Sequence, residues 1–141
     1  VSGMEARVRR VFMTTLFNHT IVAARDKQVS ASFFTAMFDL PPAEPGGPFL
    51  TVYLDAGVTL LFAEPGIEFP PQHYAFLVTE EDFDGIYARI QEAGLDHWAD
   101  PHRKLPQQYN TNHGGRGVYF LDPSGHYLEA ITQPYEADPQ K

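Results

Sequence analysis

Apolar and polar positions along this chain separate strands from helices before any other property is considered. Three runs carry the strongest strand signal, 17–24 (FNHTIVAA), 72–78 (QHYAFLV) and 126–132 (HYLEAIT), and three more fall at 49–54, 58–63 and 117–121. Two stretches show helical spacing instead. Phe33, Ala36, Met37 and Leu40 recur at helical intervals after Asp26 and Lys27, which predicts a helix from about Lys27 to Asp39 that stops before Pro41. Thr79, with Asp82 three residues on, resembles a capping box, while Phe83, Ile86, Tyr87 and Ile90 form one apolar face and Gly94 stands where a C-terminal glycine belongs.

Both halves follow one order: a His-bearing strand, a helix, then further strands, so a unit of strand, helix and three strands is written twice. Their turns also correspond, Asp55-Ala56-Gly57 in the first half and Asp122-Pro123-Ser124-Gly125 in the second. Setting Gly57 on Gly125 places Leu61 where Glu129 stands. His19 and Leu61 are 42 residues apart whereas His73 and Glu129 are 56 apart, so the second half carries an insert of 14, which falls within 100–115 (DPHRKLPQQYNTNHGG). Its polar, Pro- and Gly-containing composition suits a lid or substrate loop. The expected organisation is a single domain over 13–135, with module one at about 16–66 and module two at about 70–134. Residues 1–12 are expected to be a flexible extension upstream of a natural start at Met13, and 136–141 a tail.

Three of the strand runs contain a titratable residue that their apolar pattern does not call for: His19, His73 and Glu129. An unpaired imidazole or carboxylate costs several kcal/mol to bury, so each needs a partner or a purpose. Strand alternation puts Phe17, His19, Ile21 and Ala23 on one face, His73, Ala75 and Leu77 on another, and Tyr127, Glu129 and Ile131 on a third. With helices on the opposite faces, all three would look into one concavity. Two His and one carboxylate with open positions is the facial triad of non-haem Fe(II) oxygenases. Tyr119 is expected on the same face as Glu129. His113 is a candidate acid/base, with His97 and His102 as weaker ones beside Trp98, and His126 is read as pairing with backbone at a strand start. Arg116 and Lys104 could meet an anionic substrate, although both are read as solvated charges. Glu80, Glu81 and Asp82 crowd a helix N-terminus, where the dipole favours them.

The chain's 141 residues suit one domain, and a net charge of −8 with a pI near 5.1 argues against nucleic acid or an anionic membrane as partner. A small-molecule substrate is favoured. With no cysteine, thiolate nucleophiles, thiolate ligands and disulfides are excluded, and any metal site must use His, Asp and Glu. The stretch 11–17 follows two arginines but contains Thr14 and Thr15 and runs into a core strand, so it is not read as a secretory leader, and the expected location is cytoplasmic.

The segment 117–132 (GVYFLDPSGHYLEAIT), with FNHTIVAARD and QHYAFLV, resembles the vicinal oxygen chelate superfamily of glyoxalases, bleomycin-resistance proteins, fosfomycin-resistance enzymes and extradiol dioxygenases, over about residues 16–134. The resemblance implies an α+β fold of paired βαβββ modules forming a curved mixed sheet around a metal. Its ligands would come from the first strand of each module and the last strand, the positions of His19, His73 and Glu129. The fourth position, often Glu in glyoxalases, is Leu61 here. His113, Val118-Tyr119, Asp122-Pro123-Ser124-Gly125 and Glu129 are similar to the fingerprint of type I extradiol dioxygenases, with a spacer after His113 one residue shorter.

This likeness implies a dioxygenase acting on a small vicinal diol or catechol, with a divalent metal, Fe(II) favoured over Mn(II) or Zn(II). Tyr119 would hydrogen-bond a substrate oxygen and His113 would move a proton. Phe17, Ile21, Leu61, Leu77 and Ile131 would line an apolar pocket. Fosfomycin-resistance thiol transferases are the first alternative, disfavoured by Ile21 where they carry Thr. A metal-free drug-binding protein is the second. A homodimer is expected, because a curved eight-stranded sheet leaves edges that need covering.

Overall fold

The computed structural model describes residues 15–135, so the expected extension over 1–12 and the tail over 136–141 lie outside the described residues. Module one runs β1 (His19–Ala23), α1 (Lys27–Phe38), β2 (Glu44–Gly46), β3 (Phe49–Tyr53) and β4 (Thr59–Ala63). Module two repeats the order with β5 (His73–Leu77), α2 (Glu80–Glu92), β6 (His97–Trp98), β7 (Gly117–Leu121) and β8 (Tyr127–Ile131). The strands form two four-stranded mixed sheets, ordered β1-β4-β3-β2 and β5-β8-β7-β6, which are not closed into one another. β2 and β6 are edge strands that the apolar runs did not reveal. Pro45 removes a donor from β2, and β6 has only two residues.

The repeat is exact in register. His19 lies opposite Thr59 and Ile21 opposite Leu61 in the first sheet, as His73 lies opposite Tyr127 and Ala75 opposite Glu129 in the second. Leu61 and Glu129 are therefore equivalent positions, as the alignment of Gly57 with Gly125 requires. The turn before β8 is fastened by Asp122, whose Oδ1 accepts from the backbone N–H of Ser124 and His126 at 2.9 and 2.8 Å.

Asp26 caps α1 by accepting from the N–H of Gln28 and Val29, and the helix ends on Asp39 in the left-handed region at φ 53°. Its buried face is rotated from the expected one. Ala36 is exposed, while Ala31, Phe34 and Met37 are buried, because Phe34 reaches both sheets and a large ring outweighs a methyl group in burial. Thr79 caps α2 through a 3.1 Å bond from Asp82 N–H, and Phe83, Ile86 and Ile90 are buried as the spacing requires.

One core joins the modules. Val22, Leu60 and Phe62 from the first sheet, Val118, Phe120 and Leu128 from the second, and Phe34, Phe83 and Ile86 from the helices belong to it. Phe34 meets Phe62 at 6.0 Å and Phe76 at 5.1 Å between ring centroids, and Phe33 meets Phe120 at 6.3 Å. The helices thus cover one face of each sheet, and the faces carrying His19 and His73 point away from this shared core. His126 reinforces the joint. It is fully buried, its Nδ1 accepts from Gln72 N–H at 2.9 Å, and its Nε2 donates to the Ala23 carbonyl at 2.7 Å, fixing its tautomer and its expected structural role.

The insert over 100–115 is an ordered wall. Asp100 Oδ1 accepts from Lys104 and Leu105 N–H at 2.9 and 2.8 Å, and Asn110 exchanges backbone bonds with Gly117 at 2.8 and 3.0 Å. A Cβ on Gly115 would stand 2.5 Å from Thr132 Oγ1, which already accepts from Arg116 N–H at 2.7 Å. Gly115→Ala is expected to lower stability by about 1–3 kcal/mol, read as a fall in melting temperature. An unchanged melting temperature would mean that residues 132–133 yield without cost.

Candidate metal centre

The second sheet brings one row of side chains to its outer face. Trp98 pairs with Tyr119 across β6–β7, Tyr119 with Glu129 across β7–β8, and Glu129 with Ala75 across β5–β8, so all four share the face, along with His73 and Leu77. Tyr119 therefore stands where alternation places it. Trp98 joined the row without having been foreseen there, because β6 is too short to leave a periodic signal.

His73 and Glu129 meet directly, with Nε2 3.0 Å from Oε1. The other ring nitrogen, Nδ1, lies 3.1 Å from the Tyr127 carbonyl, which can only accept, so Nδ1 carries a proton and donates it. In the neutral ring, Nε2 then presents a lone pair to a carboxylate oxygen. Two acceptors at that distance need a cation or a further proton between them. A ligand His whose far nitrogen is fixed by a backbone carbonyl is also the arrangement that orients imidazoles at metal sites. The donor set therefore fits a divalent metal.

Glu129 is 1% exposed, so its burial demands partners for both oxygens. Oε2 accepts a short hydrogen bond from the hydroxyl of Tyr135, a residue on the tail beyond β8 that sequence reasoning missed. Tyr119 and Tyr135 hydroxyls are 2.9 Å apart. Burial first, then the bond with Tyr135 and the charge of Glu129, raise the pKa of the Tyr119 phenol well above its ordinary value, and burial with the bond to Glu129 raises that of Tyr135. Both phenols stay protonated donors.

The structure distributes the other candidates differently. His19 lies on the first sheet, exposed, with Nδ1 2.7 Å from Asn18 Oδ1. No three of the described His, Asp and Glu side chains form a metal cluster, so one chain does not assemble the expected triad in a single concavity. The reason is the shared core, which turns the His19 face and the His73 face outward on separate sheets. Of the expected pocket wall, Phe17, Ile21 and Leu77 are 65%, 54% and 61% exposed on those faces. His113 is exposed in a short turn, and its ring stacks on Tyr135 at 4.7 Å between centroids.

His97 is not a free acid/base: it is buried, its Nδ1 donates to the Leu95 carbonyl at 2.9 Å, and its Nε2 is 3.0 Å from Tyr87 Oη. His102 is exposed in the loop. Arg116 is not a free surface charge. Its guanidinium bonds Glu80 at 2.7 Å and Asp84 at 2.8 Å and lies over Phe83 at 4.5 Å, fastening the insert to α2. Lys104 is exposed. Arg103 lies over Trp98 and Tyr127 at 5.8 and 5.5 Å, beside the Glu129 row.

Within the described residues no helix is long and apolar enough to cross a membrane. Comparison with known proteins agrees with this architecture. The chain is 35% identical to glutathione transferase FosA of Serratia marcescens, covering 83% of this chain and 80% of that protein. It is 32% identical to metallothiol transferase FosB of Shouchella clausii (strain KSM-K16), covering 85% and 82%. Among solved structures, Oxidase ChaP-H2 superposes with a TM-score of 0.85 at 50% identity, covering 89% of this chain and 98% of that one. Residues 16–130 match the model of one family, and the chain belongs to it: the Glyoxalase/Bleomycin resistance protein/Dioxygenase superfamily.

Proposed function

We propose that this chain is a metal-dependent oxygenase of the extradiol type, acting on a small planar substrate with two vicinal oxygens. We further propose that it works as a homodimer in which His19 of one protomer completes the His73–Glu129 pair of the other. The observation that carries the metal reading is the opposed pair itself, His73 Nε2 and Glu129 Oε1 at 3.0 Å with Nδ1 already committed to a carbonyl. The dimer is supported by the outward His19 face, where Phe17 and Ile21 are 65% and 54% exposed beside an imidazole with no acidic partner among the described ion pairs. A second copy covers such a face and supplies the missing donor in one step.

Fe(II) held there supplies Lewis acidity toward two substrate oxygens and redox capacity toward dioxygen. The protein's own residues do the rest. Tyr119 turns its hydroxyl from Tyr135 to a substrate oxygen, Trp98 and Leu77 offer flat apolar surface to a ring, and exposed His113 carries the substrate proton to solvent. An oxygenase is preferred to a thiol transferase on three grounds. The likeness to a protein named as an oxidase is 50%, against 35% for FosA. Ile21 replaces the hydroxyl of the transferase pattern. Arg116, a candidate cation for an anionic substrate, is paired with Glu80 and Asp84.

The test is metal loading followed by two assays. Protein purified without metal is expected to bind about one Fe(II) or Mn(II) per chain, and the Fe(II) form to take up oxygen with catechols while the Zn(II) form does not. Consumption of glutathione with fosfomycin, and no oxygen uptake, would establish the transferase instead. Absence of metal binding would leave a drug-binding protein.

A further inference from the structure

Tyr135 lies six residues past Glu129, outside any strand, yet it meets Glu129, Tyr119 and His113. Its hydroxyl gives its single proton to Glu129 Oε2, a pure acceptor. The 2.9 Å bond between the two phenols must then run the other way, from Tyr119 to the oxygen of Tyr135. One direction follows from the other, and the chain Tyr119, Tyr135, Glu129 is fixed in polarity. The ring of Tyr135 is held in turn by His113, stacked at 4.7 Å and 29°. His113 adopts a left-handed backbone at φ 59°, which costs a non-glycine residue about 1–2 kcal/mol. The turn that keeps it there presents its ring to Tyr135. Acid, insert and tail are joined through one phenol.

We propose that Tyr135 is a positioning residue of the metal centre: by holding Glu129 Oε2 it makes the carboxylate a single-oxygen ligand, presenting Oε1 alone beside His73 Nε2. This rests on the metal reading above. Its consequence is a count of coordination positions. An octahedral ion held by three single-donor ligands keeps three positions open, enough for a substrate bound through two vicinal oxygens and one further reactant. A carboxylate bound through both oxygens would take one of those. Without the tail phenol, Glu129 is free to rotate toward that second mode, and Tyr119 loses the acceptor that aims its hydroxyl between turnovers.

The experiment is Tyr135→Phe, which removes one hydroxyl and leaves the ring for His113 to stack on. Mn(II) affinity, measured by calorimetry, is expected to fall about 10- to 100-fold, the usual effect of deleting a group that orients a metal ligand. The visible absorption bands of the Co(II)-loaded protein, which report coordination number, are expected to shift in position and intensity. The metal-free variant is expected to stay folded and to melt only slightly lower, by the one hydrogen bond lost to buried Glu129, which separates positioning from folding; a variant that melts far lower would be replaced by Tyr135→His, which keeps a donor and is expected to restore part of the affinity. Wild-type protein that takes up neither Mn(II) nor Co(II) would overturn the metal reading and this inference together. Wild type that binds both, with Tyr135→Phe matching it in affinity and in Co(II) spectrum, would overturn the role of Tyr135 alone.

Discussion

A heterodimer of one His19→Ala chain and one Glu129→Ala chain is expected to bind metal at about half of its sites, although each variant alone binds at none. Each homodimer lacks the same donor twice. In the mixed dimer, the site built on His73 and Glu129 of the His19→Ala chain receives His19 from the other chain and is whole, while the second site lacks both. Losing one of three protein ligands should weaken binding by more than about 100-fold, beyond the effect of losing an orienting group. The measurement is a Mn(II) titration of heterodimers purified through two different tags from co-expressed chains. Heterodimers that bind no better than the parents would place the whole site in one chain, or remove His19 from it.

The geometry makes this outcome the expected one because of where the apolar surface lies. Core formation used the helix-side face of each sheet, and His126 locked the two modules back to back by bonding both Ala23 and Gln72. On the outward faces Phe17 and Ile21 stay exposed on the His19 side and Leu77 on the His73 side. A monomer would leave these large side chains in water on the faces that carry the candidate ligands. In the proposed dimer, pairing the first sheet of one protomer with the second sheet of its partner would cover them and bring His19 to a carboxylate.

Much of this was legible because strand period and turn chemistry are local properties. The equivalence of Leu61 and Glu129 followed from two glycine turns and reappears in the ladders, with Ile21 opposite Leu61 and Ala75 opposite Glu129. Tyr119 fell on the face of Glu129 because both strands alternate without a bulge. The rotated face of α1 was not legible, since Ala36 and Phe34 are both apolar and only the position of two sheets decides which is buried. Nor was Tyr135, whose place is set by an unsatisfied oxygen on a buried acid six residues earlier in the chain, a demand that no hydrophobic pattern records. The same holds for His97, a weaker acid/base candidate by sequence, whose two nitrogens are taken up by Tyr87 and the Leu95 carbonyl.

Tyr119→Phe is expected to leave metal binding intact and to reduce turnover about ten- to a thousandfold. Tyr119 is buried and its hydroxyl bonds that of Tyr135, so its removal leaves the Tyr135–Glu129 bond in place. The ring remains against the His73 ring, 6.0 Å away, and little volume is lost. Stability should therefore change by no more than about 1.5 kcal/mol, the net worth of one hydrogen bond. The loss falls on the reaction because the phenol is the donor nearest the pair of ligands that can follow a substrate oxygen as it gains charge. Tyr119→Phe and Tyr135→Phe thus separate two functions of one hydrogen-bonded chain, the first altering turnover at constant affinity for Mn(II) and the second altering the affinity itself. Wild-type turnover by the Phe variant on an accepted substrate would reduce Tyr119 to a wall of the site. Loss of metal in the same variant would mean that the phenol, and not Tyr135, holds Glu129, and the order of the chain would have to be reversed.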